Sequence, residues 1–497
     1  MIVQFFNQMP ALVVILPLMA APLCVLAHRA LPAWLIYAVV SWAVFFISCL
    51  LFVETRVAGQ VVYEMGGWAP PFGIELVIDR FNAIILMLVT GMSAMTSLYA
   101  RKSIDAELPR ERAYLVYAAM LLLLCGLIGI TVTGDAFNVF VFLEVSSLAS
   151  YSLIAMGPKR RALLSSFQYL IMGTVGGTFL LIGIGFLYVM TGSLNMADIA
   201  QRLPAVAHTR TVEAGLAFIV VGLSLKAALF PLHAWLPNAY TYAPSSVSTF
   251  IASTGTKVAV YALMRFVFTV FGVSYAFGEL PLGDVLIGLS VLAMLSGSVA
   301  AIFQTDVKRL LAWSSVAQMG YIVLGIALAT PEGVTAAVTH MVNHGLIKGA
   351  LFMAVGAMFW RMRACSLNDI AGLGKRMPYT SAAFVVGGLS LIGVPATAGF
   401  ISKWVLLQAV LLEGYWWLAV AILVSSLLAV IYIAKVIEAL YFREPPKGQE
   451  PPTGEAPPMM LLATWLLVAL NIAVGLFGAP EVEAARAAAT QLLGAAS

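Results

Sequence analysis

Charged side chains are scarce in this sequence. Asp, Glu, Lys and Arg together make up 10% of its 497 residues, whereas soluble domains carry roughly 25%. Hydrophobic residues make up 62%, so the composition excludes an ordinary soluble domain and is typical of a chain that sits in lipid. The net charge is only +4, and the basic residues are spread over many short loops, which argues against nucleic acid as a partner.

Cysteine is also rare. The four cysteines stand at Cys24, Cys49, Cys125 and Cys365, without a CxxC or CxxxC spacing. We therefore expect neither a disulfide framework nor a cysteine-based metal site. The sequence carries no haem, flavin, nucleotide or metal motif, so we expect no cofactor, no metal and no enzymatic activity of this chain on its own.

Long apolar runs, by contrast, fill nearly the whole chain from residue 10 to residue 478. About 20 apolar residues cross a hydrocarbon core of ~30 Å. The pattern predicts an all-α, polytopic integral membrane protein with about 14 transmembrane helices in a lipid bilayer. The predicted spans are 10–28, 31–53, 76–100, 113–133, 135–157, 162–191, 213–241, 246–272, 282–303, 307–329, 333–360, 379–410, 417–442 and 459–478.

The basic residues indicate how these spans are oriented. An even number of spans puts both termini on the same side. Loops after odd-numbered spans hold sixteen of the 27 Lys and Arg residues, among them Arg101, Lys159 and Arg361. Because loops rich in Lys and Arg stay in the cytoplasm, both termini are predicted to be extracytoplasmic. The first apolar run lacks the features of a cleaved signal, and we interpret it as the retained first helix of a multi-pass protein.

Two prolines fall in the middle of predicted spans. Pro231 in the seventh span and Pro395 in the twelfth should each break the helix. They follow similar segments, Gly222-Leu-Ser-Leu225 and Gly388-Leu-Ser-Leu391. The copies lie five spans apart, and this odd offset gives them opposite orientations. The sequence therefore predicts two inverted five-helix repeats with broken helices, which hold transport sites near the midplane.

This symmetry defines the predicted domains. They are N-terminal helices in 1–112, a first repeat in 113–272, an inverted repeat in 281–442, a Pro-rich cytoplasmic linker in 443–458, and a last span with a short tail in 459–497. The composition of the linker is incompatible with a helix. A glycine cluster in the sixth span predicts close helix packing rather than a phosphate-binding loop: Gly173, Gly176, Gly177, Gly183 and Gly185.

Four ionisable residues fall deep inside predicted spans. They are Glu144 in the fifth, Lys226 in the seventh, Lys257 in the eighth and Lys403 in the twelfth. A charge at the bilayer centre costs at least ~2.5 kcal/mol on insertion scales, so a purely structural scaffold is disfavoured. The three lysines lie too deep to reach the headgroups and must face a hydrated cavity or one another. We interpret all four residues as groups that carry protons.

The eleventh span adds a second polar group. His340, His344 and Lys348 follow one another at intervals of four residues, which places them on one face of a helix. This shared face predicts a relay. His233 stands alone on an apolar face and is interpreted as a core residue.

Lys435 and Glu438 near the end of the thirteenth span leave two interpretations open. They lie about one helical turn apart and form either an exit route for protons or a local ion pair. Lys435 is also close enough to the helix end to extend toward the headgroups.

The buried groups together predict a switch. If Glu144 pairs with Lys226, the lysine stays charged, and if the pair opens, Lys226 releases its proton to Lys257 or to the histidines. Helices broken by proline leave free carbonyls near the lysines, so water can enter where an intact helix would exclude it.

Four segments resemble the antiporter-like subunits that respiratory complex I shares with Mrp-type sodium/proton antiporters: Gly134–Glu144, Lys226–Pro237, Asp306–Tyr321 and His340–Lys348. The likeness covers nearly the whole chain. It implies that Glu144 and Lys226 are the coupled pair, that Lys257 is the connecting base, and that Lys403 passes the proton onward.

Finer details resemble the D-type member of an Mrp antiporter. Only nineteen residues follow Gly478, where the distal complex I subunit carries a long lateral helix. The chain has Pro237-Asn-Ala-Tyr240 where complex I members typically have Pro-Asp-Ala-His, and Lys403 where one of them has glutamate.

The resemblance implies a proton-translocating subunit of a multisubunit monovalent cation (Na+)/H+ antiporter. Its partners would be Mrp subunits of the A, B, C, E, F and G types, and protons and Na+ would be the transported ions. Because Glu144 stands alone as a central carboxylate, the sodium path is expected to run largely through a partner. The alternative is a pumping subunit of a redox-driven complex, either complex I or a membrane-bound hydrogenase. A third possibility is an energy-coupling subunit for inorganic-carbon uptake.

Overall fold

The computed structural model describes residues 2–445 and 454–494. Helices dominate because an apolar run in lipid must satisfy its backbone hydrogen bonds internally. The α-helices in these residues are α1 Ile2–Ala27, α2 Ala30–Ala58, α3 Arg80–Glu107, α4 Ala113–Val132, α5 Ala136–Ala155, α6 Arg161–Thr191, α7 Met196–Arg202, α8 Arg210–Lys226, α9 Leu236–Tyr242, α10 Ser245–Met264, α11 Leu282–Ile302, α12 Val307–Ala327, α13 Pro331–Met362, α14 Pro378–Ile392, α15 Ala398–Leu412, α16 Trp416–Tyr441, α17 Pro458–Leu476 and α18 Ala479–Gly494.

Twelve segments of the described chain are long and apolar enough, by length and composition, to cross a membrane. The predicted polytopic helical architecture is thus confirmed. The seventh and twelfth predicted spans are each divided in two, the seventh into α8 and α9 and the twelfth into α14 and α15. The first break begins earlier than the proline predicts, because α8 ends at Lys226, five residues before Pro231. The second break, between Ile392 and Ala398, contains Pro395.

A β-hairpin corrects the predicted start of the third span. Residues 76–79, predicted as helix, belong to strand β2 Glu75–Asp79, which pairs antiparallel with β1 Gln60–Glu64. The helix begins only at Arg80 because the Asp79 carboxylate accepts hydrogen bonds from the backbone N–H groups of Phe81 and Asn82. The sequence predicts only a short tail after the last span. In the structure this tail forms the helix α18.

The helices run between two faces of the bundle. We call the face that carries β1 and β2 the hairpin face. The start of α1 lies there, where the Tyr63 hydroxyl donates to Gln8, and so does the end of α18, where Gln491 accepts from the Arg80 N–H. We call the opposite face, where the last turns of α3 and α13 and the segment after α5 carry Arg101, Arg361 and Lys159, the basic face. The positive-inside argument assigns the basic face to the cytoplasm, and this orientation remains a proposal.

Two isolated β-bridges recur at equal spacing along the chain. Asp135 bridges to Asn195 and Asp306 bridges to Ser366, so both partners are displaced by the same 171 positions. Each aspartate also caps a helix, Asp135 that of α5 and Asp306 that of α12. The first bridge lies at the hairpin face and the second at the basic face. This recurrence agrees with the proposed inverted repeats, and the domain limits drawn from them stay a prediction.

The predicted linker 443–458 falls only partly within the structure. Residues 446–453, which include Lys447, lie outside the described residues. The last candidate span begins at Pro458.

Candidate functional site

Lys226 and Glu144 come together from α8 and α5. Lys226 is the last residue of α8, and its ammonium Nζ lies 3.5 Å from Glu144 Oε1. It also donates to Ser147 Oγ at 2.6 Å and to Tyr151 Oη at 3.5 Å. Ser147 and Tyr151 follow Glu144 at intervals of three and four residues, so α5 presents all three side chains on one face. The lysine is 5% exposed and the glutamate 26%.

Glycines of α6 make room for this pair. A Cβ at Gly177 would overlap Glu144 Oε1, and a Cβ at Gly173 would overlap the Tyr151 hydroxyl. Gly176 instead faces the backbone of Gly222 on α8, which is the helix packing that the glycine cluster predicts. Gly173 and Gly177 therefore have a second role that the sequence alone did not indicate. They leave space for the polar side chains of Tyr151 and Glu144.

A cavity of about 30 Å³ lies beside Lys226. Its lining includes Ser147 and Thr256, and Thr256 is the neighbour of Lys257 in the sequence. Lys257 is fully buried and donates to the Ala252 carbonyl at 2.5 Å. No hydrogen bond joins the two described lysines. A cavity of this size has room for a water molecule, and the hydroxyls of Ser147 and Thr256 in its lining offer hydrogen-bond partners to one.

His340 is held by two side chains from neighbouring helices. Its Nδ1 lies 2.9 Å from Ser402 Oγ on α15, and its Nε2 lies 2.9 Å from Gln318 Oε1 on α12. The imidazole is 1% exposed. The two contacts fix the orientation of the ring, and they place it between the two helices.

His344 and Lys348 continue this row along α13. The rings of His340 and His344 are stacked with centroids 6.0 Å apart. Neither ring nitrogen of His344 finds a hydrogen-bond partner among the described residues. The Lys348 ammonium donates to the Leu311 carbonyl at 2.7 Å and to Ser314 Oγ at 2.5 Å. The predicted shared face thus exists and points into the core.

Lys403 stands in α15, and its ammonium reaches back to the break between α14 and α15. Its ammonium donates to the carbonyls of Leu391 and Ile392, at 3.0 and 2.8 Å, and to Ser426 Oγ at 3.1 Å. These two carbonyls lie at the end of α14, where the helix has no further N–H group to offer. The lysine therefore satisfies the free carbonyls that the broken helix leaves, as the sequence predicts.

Five of these groups form one buried cluster. His344 lies close enough to Lys257, Lys348, His340 and Lys403 to interact with each electrostatically. Lys226 of the Glu144–Lys226 pair borders the small cavity, whose lining includes none of these five groups. The structure thus brings the seven residues singled out in the sequence into two groups, the Glu144–Lys226 pair and the five-membered cluster.

Lys435 and Glu438 do not belong to this arrangement. Lys435 donates to the carbonyls of Ile302 and Gln304, at 2.9 and 3.1 Å, and so caps the end of α11. Glu438 pairs with Arg443 at 2.8 Å. The interpretation of Lys435 and Glu438 as a local ion pair is therefore wrong, because each side chain finds a nearer partner.

His233 has aromatic surroundings. Its ring stacks on Phe230 at 5.2 Å and meets the edge of Trp313 at 5.1 Å. These contacts support its interpretation as a core residue.

Sequence reasoning missed a second ion pair. Arg265 donates to both carboxylate oxygens of Asp79, at 2.8 and 3.0 Å, beside a cavity of about 360 Å³ at the hairpin face. The pair joins the hairpin to the end of α10, eight residues beyond Lys257. The predicted spans put Asp79 in a helix and Arg265 near the end of a span. A charge near the end of a span needs no partner, so neither residue stood out.

Comparison with known proteins identifies the family to which the chain belongs. Residues 133–429 match the family model described as "NADH:quinone oxidoreductase/Mrp antiporter, TM". The chain is 43% identical to the N component of an NADH-quinone oxidoreductase from Desulforudis audaxviator, over 88% of each chain. It is 31% identical to the D component of an Na+/H+ antiporter from Alkalihalophilus pseudofirmus, over 90% of this chain and 89% of the relative.

A solved structure has the same fold along nearly its whole length. A chain of the membrane-bound sulfane sulfur reductase, described as an archaeal respiratory membrane complex, superposes with a TM-score of 0.90 at 31% identity, and the match covers 98% of both chains. The family match spans more than half of the chain, and the relatives match nearly all of it. This protein is therefore an antiporter-like membrane subunit that belongs to the NADH:quinone oxidoreductase/Mrp antiporter family.

Proposed function

We propose that this chain is a proton-translocating subunit of a multisubunit membrane complex. Protons move along the row that begins at Glu144 and Lys226, crosses the small cavity to Lys257, and continues through His344, His340 and Lys348 to Lys403. The observation that carries the proposal is the burial of the five-membered cluster together with the Glu144–Lys226 pair. So many ionisable groups in the interior of a membrane protein mark a proton or ion path.

Each part of the row contributes a different step. Glu144 stabilises the charged form of Lys226, and the hydroxyls of Ser147 and Tyr151 provide alternative partners when the pair opens. A proton released by Lys226 reaches Lys257 through water in the cavity. Lys257 repels a second positive charge on its neighbours, so its protonation favours transfer onward through the histidines to Lys403.

For the energy source, our first candidate is monovalent cation/proton antiport, in which inward proton flow drives Na+ export. The 31% identity to the D component of an Na+/H+ antiporter supports it. The partners would then be Mrp subunits of the other types, in a bacterial cytoplasmic membrane. On this candidate the chain is a transporter subunit and not an enzyme.

The second candidate is the pumping subunit of a redox-driven complex. The 43% identity to the N component of an NADH-quinone oxidoreductase specifically favours it. The proton row would be the same, and electron transfer in partner subunits would supply the energy. The chain would then be a non-redox subunit of an oxidoreductase.

Everted vesicles from a host that lacks its own antiporters test both candidates. Proton movement is followed for the chain alone, for the chain with its genomic neighbours, and for that set with Lys226→Ala. Sodium-dependent exchange in the intact set identifies an antiporter, whereas proton uptake driven by an electron donor identifies a redox pump. In either case Lys226→Ala should abolish proton movement, and undiminished movement would contradict the proposed row.

A further inference from the structure

The C-terminal helix α18 begins at the depth of the break between α14 and α15 in the bundle interior, although its first two residues, Ala479 and Pro480, are exposed. Gly475, at the end of α17, lies against Ala396 and Thr397 in the break between α14 and α15, so closely that a Cβ at Gly475 would overlap their backbone. Gly478 in turn packs against Ile401. From this depth α18 runs along α13 to the hairpin face, where Gln491 meets Arg80.

The first turn of α18 carries a carboxylate into this interior. The Glu481 side chain is half-buried, but both of its carboxylate oxygens are shielded from solvent and find no hydrogen-bond partner among the described residues. No cation of the described chain lies within ion-pair distance. A buried carboxyl with neither a donor nor a cation is unstable in its ionised form.

The polar side chain that faces Glu481 is Asn343 of α13. Asn343 stands between His340 and His344 in the sequence, so it belongs to the same stretch of helix as the relay. Its Nδ2 donates to the Ala398 carbonyl at 2.9 Å, while its Oδ1 is buried without a donor. A protonated Glu481 carboxyl supplies the donor that Asn343 Oδ1 lacks. Burial raises the pKa of the Glu481 carboxyl to about 8, which agrees with a protonated group at neutral pH.

A cavity lies at the hairpin face between α13, α15 and α18. It measures about 480 Å³ and is lined by Glu332 and Thr335 of α13, Gln408 of α15 and Arg486 of α18. Thr335 lies eight residues before Asn343 on α13, about 12 Å along the helix axis. Thr339 is the polar residue between them. The cavity and the histidines thus follow one another along α13, and Asn343, which faces Glu481 of α18, lies between the two histidines in the sequence.

We propose that Glu481 is the proton-carrying group that connects the cavity at the hairpin face with the histidine row of α13. This inference rests on the proposed proton-translocating function. Glu481 takes up a proton from water on one side and releases it toward His340 or His344 on the other, so no atom besides the proton changes place.

Other ionisable groups on the elements packed against α18 define the surroundings of this carboxyl. They are His340, His344 and Glu332 on α13, Arg80 at the start of α3 and Arg265 in the π-helical turn Arg265–Val270 after α10. Arg265 is already paired with Asp79. His340 and His344 flank Asn343, the residue of α13 that faces Glu481, and we take them as the groups that exchange protons with it.

Glu481→Gln in the complete complex tests the proposal, with Glu483→Gln as its matched control. Glu483 lies on the same helix turn and is exposed. We expect Glu481→Gln to lower the rate of proton movement in vesicles at least about tenfold, as removal of a proton-transfer group does, and Glu483→Gln to leave it unchanged. A wild-type rate in Glu481→Gln, with proton movement abolished by Lys226→Ala, would overturn this inference and leave the proposed function standing. A wild-type rate in Lys226→Ala would instead overturn the proposed function.

Infrared difference spectroscopy of the purified complex separates proton carriage from a structural role. The wild type should show a carboxylic-acid C=O band at pH 7 that disappears as the pH rises through about 8. The band should be missing in Glu481→Gln and present in Glu483→Gln. If the band is absent from the wild type, or persists in Glu481→Gln, Glu481 is not a protonated carrier, even when the substitution slows transport.

Discussion

The Lys226 ammonium lies closer to the neutral Ser147 hydroxyl, at 2.6 Å, than to the Glu144 carboxylate, at 3.5 Å. A tight charge-assisted hydrogen bond is about 2.7–2.9 Å long. The ion pair between Lys226 and Glu144 is therefore longer than a tight one, and Lys226 already has Ser147 as a second partner. This geometry suits a lysine that must exchange its proton rather than hold it permanently.

Glu144→Gln should disable the first half of the row. The amide cannot stabilise a charged Lys226, so the lysine holds its proton less strongly. It then stays neutral and has no proton to pass on. We expect the rate of proton movement by the complete complex in vesicles to fall at least about tenfold. Glu213→Gln is the matched control, because Glu213 forms an exposed ion pair with Arg210, and such pairs contribute little. Equal rates in Glu144→Gln and the wild type would show that the carboxylate is dispensable.

Gly177→Ala should impair the same pair without touching a charged residue. The new Cβ would overlap Glu144 Oε1 and push the carboxylate from its position near Lys226. Gly185→Ala on the same helix α6 is the control, since nothing lies within 4 Å of its added Cβ. We expect slower proton movement only for Gly177→Ala, with both variants present in the membrane at wild-type levels. A defect of the same size in Gly185→Ala would point to a general effect of helix packing.

The two histidines of α13 should respond differently to substitution. His340→Leu leaves Gln318 and Ser402 without their buried partner, and the free energy of unfolding should fall by about 1–3 kcal/mol. His344→Leu removes no hydrogen bond of the described chain, so its thermal unfolding midpoint in detergent should stay near that of the wild type. Both variants should lose proton movement. Full activity in His344→Leu would exclude this imidazole from the path.

The sequence predicted the broken helices and the buried charges well, and for one physical reason. A proline or a lysine in the middle of an apolar run is costly enough to stand out without any structural information. Ser147, Gln318 and Ser402 could not be identified in this way, because neutral hydroxyl and amide groups are common in membrane helices. Glu481 escaped notice because it follows the last apolar run, where a carboxylate is ordinarily exposed. Its burial depends on α18 starting beside the break at Ala396, a tertiary contact that no local pattern reveals.

Lys435→Ala should separate structural from proton-carrying lysines. The Lys435 ammonium interacts with the carbonyl end of α11, and loss of a cation at a helix C-terminus costs about 0.3–1 kcal/mol. We expect a slightly lower unfolding midpoint and unchanged proton movement. Loss of proton movement in a variant that remains folded would restore the interpretation of Lys435 as part of an exit route.

The most direct test of the proton row uses the purified complete complex with the substitution Lys257→Ala. Its proton movement is measured after reconstitution into liposomes. Lys257 links the Glu144–Lys226 pair to the cluster, so the account predicts that movement stops while the complex remains assembled and Lys435→Ala, measured in parallel, behaves as the wild type. Proton movement at the wild-type rate in Lys257→Ala would contradict the account, because the two halves of the row would then be connected by some other route.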